Sequence, residues 1–516
     1  MSNNEIVQLH SKSGFHEKDV SEEQDAIYGK DKLNFIDNLF INFPITLFSH
    51  IKFFDILKGN SKDTNYILHR LSNSIVIIDE LQSYNPKHWD KVIFFLANYA
   101  QYFNIKVILM SATLPKIDEL EPSAEGKFIR LVNNKNDYFT NINFRGRVRF
   151  DFSLLKWDKP KNAEVREEYL LKLKNFLIEK AEERFQKEKI INVLIEFIKK
   201  KTAGEFLRLV QSDERFNDYE CFLISGEILE TRRREIINAI KAKTYKKVLL
   251  ITTQVVEAGV DIDMDLGFKD KSLIDSDEQL AGRINRNASK NDCVLYIFDF
   301  DQEAAIYGKD ERFKAKLYDD YENILNNKDF DKLYKKVTDK IKEKDKNDME
   351  SGTLTEYKEH FKNFKFAEIN KKFKLIEEDN ASVFVPLPIP HHHFTDELET
   401  LKYFDISPDS NNAILGKDVW SKYVDLMESK FDKTKDYISN QVQLKKFQGL
   451  LSKFMFSVYE KDRLMLREYS DIGSAENYSE RYGILYLINW QTYNGDKIYS
   501  YEGGLNLKLI KDDCLL

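Results

Sequence analysis

Cysteine is scarce. Cys221, Cys293 and Cys514 are the three thiols, far apart and without a Cys-x-x-Cys pair. That excludes a disulfide scaffold and a cysteine-built zinc site, and a reducing cytosol, hence a cytoplasmic location, fits. No apolar run approaches the roughly 18 residues a membrane span needs. The opening Met1-Ser-Asn-Asn-Glu has neither the basic start nor the apolar stretch of a secretory signal. A global basic coat is also missing: 79 Lys and Arg against 86 Asp and Glu leave a net charge of −7, so a nucleic-acid surface would have to be local. Internal repeats and low-complexity tracts are absent. What remains is bulk. The 516 residues are 42 % apolar and 32 % charged, a globular balance that allows several cores at roughly 150 residues per domain.

Short apolar runs alternate with amphipathic helical stretches over two blocks. In residues 1–135 the strand candidates are Ile6–His10, Pro44–Ser49, Ile75–Asp79, Lys106–Met110 and Lys127–Leu131. In residues 163–303 they are Asn192–Phe197, Tyr219–Ile224, Lys247–Thr252 and Val294–Phe300. Such alternation predicts two α/β lobes with parallel sheets covered on both faces. Residues 136–162 read as a linker, and 304–380 as long exposed helices within a helical linker region, 304–394, that Pro386, Pro388 and Pro390 break. Residues 395–516 read as a small, mainly helical domain.

Chemistry concentrates at strand ends. Ser74-Ile-Val-Ile-Ile-Asp-Glu-Leu-Gln82 is a buried-strand pattern closing on Asp79 and Glu80. Ligands of open α/β sheets lie beyond such carboxyl ends. There Asp79 suits a hydrated Mg²⁺, and Glu80 suits the orientation or deprotonation of an attacking water; an exposed acidic turn is the structural alternative. Lys106-Val-Ile-Leu-Met-Ser-Ala-Thr113 repeats the pattern and ends in Ser111, Ala112 and Thr113, which either couple a nucleotide site to a moving neighbour or begin a helix.

In the second block, Thr253 and Gln254 follow a strand, where a helix N-terminus would receive a phosphate. Gly259 permits close backbone approach, and Asp261 suits a ribose hydroxyl. Gln279-Leu-Ala-Gly-Arg-Ile-Asn-Arg286 sets Arg283 and Arg286 three apart, on one face if helical. Two guanidiniums there suit a triphosphate, one as an arginine finger.

At these residues the chain resembles a superfamily 2 helicase. Asp79-Glu80-Leu81-Gln82 looks like the DExD/H-box, Ser111–Thr113 like the Ser-Ala-Thr motif, Thr253 to Asp261 like the fifth motif and Gln279 to Arg286 like the sixth. The wording Thr-Gln-Val-Val-Glu-Ala-Gly-Val-Asp-Ile-Asp and the segment Leu194–Ala203 narrow the likeness to the CRISPR-associated helicase of type I systems, the helicase–nuclease recruited by the Cascade surveillance complex in antiviral defence. The resemblance implies two RecA-like lobes followed by a helical accessory region. It implies ATP and Mg²⁺ as cofactors, with Asp79 holding the metal, Glu80 activating water, and Gln82 with Ser111–Thr113 coupling hydrolysis to lobe movement. Gly259, Asp261 and Gln279 would complete the nucleotide site, and Arg283 and Arg286 would contact the γ-phosphate. Thr46, Ser49, Thr253 and Gln254 would touch single-stranded DNA.

Two departures qualify this. No Gly-x-x-x-x-Gly-Lys-[Ser/Thr] occurs, so the backbone cradle for phosphate and its lysine are missing. No His-Asp dipeptide occurs either, so the family's HD nuclease is not represented. His391-His392-His393 reads as an exposed loop. The expectation is therefore the C-terminal portion of a helicase with an incomplete first lobe, deficient in ATP hydrolysis by itself and needing a polypeptide that carries the HD nuclease and P-loop. A non-hydrolysing DNA- or Cascade-binding module, a remnant of a split helicase gene and a generic RNA helicase are the competing readings. Arg145-Gly-Arg-Val-Arg149 is either a nucleic-acid edge or a solvated one, and Phe361–Phe366 with Lys371, Lys372 and Lys374 suits either stacking on single-stranded bases or an amphipathic helix packing its aromatics on a core.

Overall fold

A computed structural model describes residues 5–9, 29–121, 124, 128–134, 137–138, 141, 146–257, 259–315, 320–346, 353–375, 380–429, 436–466, 482–491 and 497–506. His10, Lys127, Arg145, Ala258 and Cys514 lie outside them. No described helix is long and apolar enough to cross a membrane.

The first lobe contains two separate parallel pairs. β1 (Ile6–Leu9) runs beside β2 (Ile45–Phe48), and β3 (Ile75–Ile78) beside β4 (Lys106–Leu109). Four of the five strand candidates are thus strands; Phe128–Leu131, from the fifth, is not. The helices His50–Lys58 and Trp89–Phe103 cover one side, burying Phe53, Phe54, Trp89, Ile93 and Phe95. Other positions on these strands are open. Ile75 and Ile77, alternating along β3, are 65 % and 61 % exposed, and Ile45 and Leu47 of β2 are exposed as well. Strand residues i and i+2 share a face, so each of the two strands presents an exposed apolar pair. Among the described residues, β4 pairs only with β3, so its far edge is unpaired.

The second lobe is complete. Six parallel strands run in the order β5 (Arg149–Asp151), β10 (Val294–Phe298), β9 (Leu266–Asp270), β6 (Ile191–Glu196), β8 (Lys247–Thr252), β7 (Glu220–Ile224). Every residue of β6 and β8 is buried, as strands covered on both faces require. β5 falls inside 136–162, so the segment read as a linker supplies an edge strand, and Arg149 belongs to it. β9 escaped the sequence reading because it carries Gly267, Lys269 and Asp270. Gly267 is needed for contact: a Cβ there would come within 2.6 Å of Leu295 Cδ1 and 2.9 Å of Ile284 Cδ1.

The expectation of long exposed helices over 304–380 is corrected. The helices Tyr321–Asn327, Phe330–Lys346, Leu354–Lys362 and Phe366–Lys372 pack inward, and Leu333, Tyr334, Val337, Tyr357, Ile369 and Phe373 are buried in one core with both lobes. Phe373 stacks on Phe95 of the first lobe with ring centroids 5.6 Å apart. The charged faces dominate the composition of this segment and hid its apolar stripe. Beyond it, a second core gathers a three-stranded sheet (Met455–Tyr459, Asn380–Phe384, Ile484–Tyr486) against the helices Gly416–Ser429 and Tyr437–Ser452. This region mixes strands and helices.

Candidate functional site

The first half of the site grows out of β3. The strand stops at Ile78, and Glu80 takes a left-handed backbone with φ 54°. For a non-glycine residue that conformation is uncommon and typical of functional turns. The turn leaves Asp79 exposed, its Oδ1 accepting from the Glu80 amide at 3.0 Å. His50 lies near enough for Asp79 to act on it. Burial lowers the imidazole pKa and the carboxylate opposes the shift, while the ring meets Tyr84 edge-on at 4.7 Å.

Gln82 is fully buried. Its Nε2 donates to a Glu80 carboxylate oxygen, and its Oε1 accepts from the Ser111 hydroxyl. Ser111 Oγ in turn accepts the Thr113 amide at 3.0 Å. The two acidic and hydroxyl strand ends, 29 residues apart in sequence, are one hydrogen-bonded unit. Ala112 is exposed between its bonded neighbours.

Across the cleft, β8 ends at Thr252 and a single tight turn, Gln254–Val256, follows. Thr253 is buried, and Gln254 Nε2 donates to the Tyr307 hydroxyl. The helix N-terminus expected after Thr253–Gln254 is thus a single turn instead. Gly259 has φ 71° with open space before it, a conformation that favours glycine.

The expectation that Arg283 and Arg286 share a helix face is also corrected. The helix Ile274–Ala281, which carries half-buried Gln279, ends before them. The chain then turns, and Ile284 bridges Met264 beside β9. The two arginines consequently differ. Arg283 is buried, donating from Nε to the Val256 carbonyl at 3.0 Å and from Nη2 to the Glu257 carbonyl at 2.7 Å. Arg286 is exposed, with Nε 3.1 Å from Asp261, whose other oxygen lies 2.6 Å from Lys241 Nζ. The hydrogen bond from Lys241, with the charges of Lys241 and the arginines, holds the Asp261 carboxyl below its ordinary pKa. For Arg283, burial and the neighbouring Arg286 lower the pKa, while Glu80, acting from the first lobe, and Asp261 raise it.

Beneath this half lies a buried charge cluster. Lys269 Nζ is 2.8 Å from Glu196, 3.5 Å from Asp277 and 3.7 Å from Glu257. Burial would lower the ammonium pKa, but the three carboxylates outweigh it and hold the group charged. Glu257 is pushed the other way, upward, by burial and by Glu196. Glu257 belongs to the fifth motif-like segment, so the motif's backbone is anchored from below by this cluster as well as by Arg283.

Thr46 is half-buried in β2, and Ser49 caps the helix His50–Lys58 by accepting the Lys52 amide at 3.3 Å. The sequence reading missed Asp275, Arg312 and Tyr334, which join the two halves. They lie far apart along the chain, and no local pattern marks them. Arg147 Nη1 donates to the Arg286 carbonyl at 3.4 Å and so supports the sixth motif-like turn. His393 touches Tyr501 at 3.3 Å, and no group of three metal-ligating residues occurs among the described residues.

The acidic strand end and the arginine-bearing turn thus belong to two α/β lobes built on parallel strands. Residues 190–289 match the family model described as CRISPR-associated nuclease/helicase Cas3, C-terminal. The Methanothermobacter thermautotrophicus CRISPR-associated nuclease/helicase Cas3 is 29 % identical over 219 residues, 41 % of this chain and 24 % of that protein. T. fusca Cas3 bound to AMPPNP has a similar fold, with a TM-score of 0.55 and 13 % identity over 97 % of this chain and 60 % of that one. A chain of a CRISPR RNA-guided surveillance complex, pre-nicking, gives a TM-score of 0.50 and 13 % identity over 94 % and 61 %. The chain is thus similar to Cas3-type CRISPR helicases in sequence over residues 190–289 and in fold over most of its length. It spans 34 % and 24 % of the length of the curated relatives it matches.

Proposed function

We propose that this chain carries the motor lobes of an ATP-dependent single-stranded-DNA translocase or helicase acting in type I CRISPR interference. The observation that carries the reading is the hydrogen-bonded unit of Glu80, Gln82 and Ser111 at the strand ends of the first lobe, which Arg312 ties to Asp275 of the second. The local chemistry fits the cofactors. Exposed Asp79 is a single carboxylate suited to a hydrated Mg²⁺, which is commonly held by one or two carboxylates together with substrate phosphates. When bound, ATP and Mg²⁺ supply the phosphoryl group and neutralise its charge. Glu80 orients or deprotonates the attacking water, and Gln82 fixes the Glu80 carboxylate. Arg286, on the exposed turn, faces the γ-phosphate, and Arg283 positions the fifth motif while bringing charge to the cleft. Thr46, Ser49, Thr253 and Gln254 belong to the strand path.

The P-loop comes from another segment, either further residues of a longer polypeptide or a separate chain that also bears the HD nuclease. The exposed apolar pairs Ile45 with Leu47 and Ile75 with Ile77, and the edge of β4 that is unpaired among the described residues, support this: a further strand and helix would pack there. The likeness to a chain of a surveillance complex supports a Cascade-type partner.

The test is ATP hydrolysis with Mg²⁺ and single-stranded DNA. The chain alone is expected to be inactive. Addition of a P-loop-bearing polypeptide is expected to give DNA-stimulated turnover that Glu80→Gln abolishes. No gain on addition overturns the proposal. The absent P-loop also favours a second reading, a module that binds DNA or Cascade without hydrolysis. That reading requires binding indifferent to ATP and to Asp79→Ala.

A further inference from the structure

The helices after the second lobe bring both lobes to one buried carboxylate. Asp275 lies in the first turn of the helix Ile274–Ala281 and is almost wholly inaccessible. Its Oδ2 accepts from Arg312 Nη1 at 2.7 Å and from the Tyr334 hydroxyl at 3.5 Å. Both donors also reach the first lobe. The same Nη1 donates to the backbone carbonyl of Gln82 at 3.1 Å. The Tyr334 oxygen is 2.9 Å from the Thr113 hydroxyl, a hydrogen bond in which either oxygen can donate.

The surroundings fix these positions. Asp310 holds the rest of the Arg312 guanidinium, receiving Nε at 3.0 Å and Nη2 at 2.8 Å. Trp89 meets the Tyr334 ring edge-on at 5.6 Å. Asp275 Oδ1 has no hydrogen-bond partner among the described residues, so the carboxylate depends on the donors at Oδ2.

We infer that Asp275, Arg312 and Tyr334 are positioning residues that make the seating of Gln82 and Thr113 in the first lobe depend on the position of the second. The inference rests on the motor reading above and assigns the link between lobes to side chains outside every helicase motif. Arg312 contacts the Asp275 carboxylate and the Gln82 carbonyl through one nitrogen. A relative shift of the lobes by an ångström or so pulls it from one partner or the other and leaves a buried charge badly paired. Such an arrangement favours two discrete states over gradual sliding, the physical requirement for coupling between distant sites.

The test uses the full chain. Amide exchange is followed over residues 79–83 and 111–113 in the parent, Asp275→Asn, Tyr334→Phe and the double variant. Asp275→Asn, a change in the second lobe, is expected to speed exchange in both first-lobe segments by roughly fivefold or more, the low end of ordinary coupling. Adding Tyr334→Phe should change residues 111–113 little further, because the path is already cut. Unchanged exchange in Asp275→Asn, or effects that multiply in the double variant, overturns the inference. If Asp275→Asn fails to fold, Tyr334→Phe decides alone: exchange must rise both at 111–113 and in 274–281.

A second readout separates positioning from general support. With a P-loop-bearing polypeptide present, Asp275→Asn is expected to lower kcat for DNA-stimulated ATP hydrolysis about tenfold with KM for ATP unchanged, and Asp275→Glu to recover part of it. A raised KM with intact kcat counts against the inference. If the parent assembly shows no turnover, the motor proposal fails, and the exchange result still judges the coupling.

Discussion

Arg283 donates through Nη2 to the backbone carbonyl of Glu257 at 2.7 Å, which makes it an internal brace of the fifth motif-like segment as much as a cleft residue. Arg286, three positions on, is paired only at the surface with Asp261. Their substitutions should therefore separate. Arg283→Ala leaves two carbonyls without their donor and is expected to cost about 2–4 kcal/mol in urea unfolding. Arg286→Ala removes an exposed ion pair and is expected to cost about 1 kcal/mol or less. Equal losses would show that Arg283 does not brace the segment.

His88 gives the fold an acid-sensitive point. Burial, reinforced by Lys91 and Lys87, lowers its pKa to about 3. An unfolded chain would titrate near 6.5, so below that pH the unfolded state takes up a proton that the native state refuses. Native stability then falls with decreasing pH, by about 1.4 kcal/mol per unit for this group, until the native pKa is reached. His88→Gln removes the term. The pH dependence of the urea midpoint between pH 6 and 4 should be shallower in the variant by that amount, and identical slopes would refute the assignment.

The exposed side of β3 supplies a test of a different kind. Ile75→Thr with Ile77→Thr keeps β-branched residues in a strand and removes apolar surface that faces solvent. Stability should change by less than about 1 kcal/mol, self-association should decline, and affinity for a P-loop-bearing polypeptide should drop. A large stability loss would mean that the face is already part of a core.

Legibility followed the physics of each element. β6 and β8 are continuous apolar runs, so both were visible, as were the carboxylates and hydroxyls at the ends of β3 and β4. β9 was not visible, because its interior charge is matched only by partners such as Glu196, which is distant in sequence. The helix expected beneath Arg283 and Arg286 failed because a three-residue spacing cannot reveal that the helix has ended at Ala281. Asp275, Arg312 and Tyr334 were illegible for a simpler reason: Tyr334 and Thr113 stand 221 residues apart, and each looks like any other polar residue of an amphipathic helix or loop.

The stacking of Phe95 on Phe373 has a consequence for biosynthesis. A chain emerging from the ribosome presents the aromatic residues of the helix Trp89–Phe103 long before Tyr357, Phe361 and Phe373 exist to enclose them. The second lobe has all six of the strands in its sheet by residue 298 and is able to close while the earlier lobe still waits. The part made first is thus finished late, and its nascent hydrophobic surface is a natural target for chaperones during that interval.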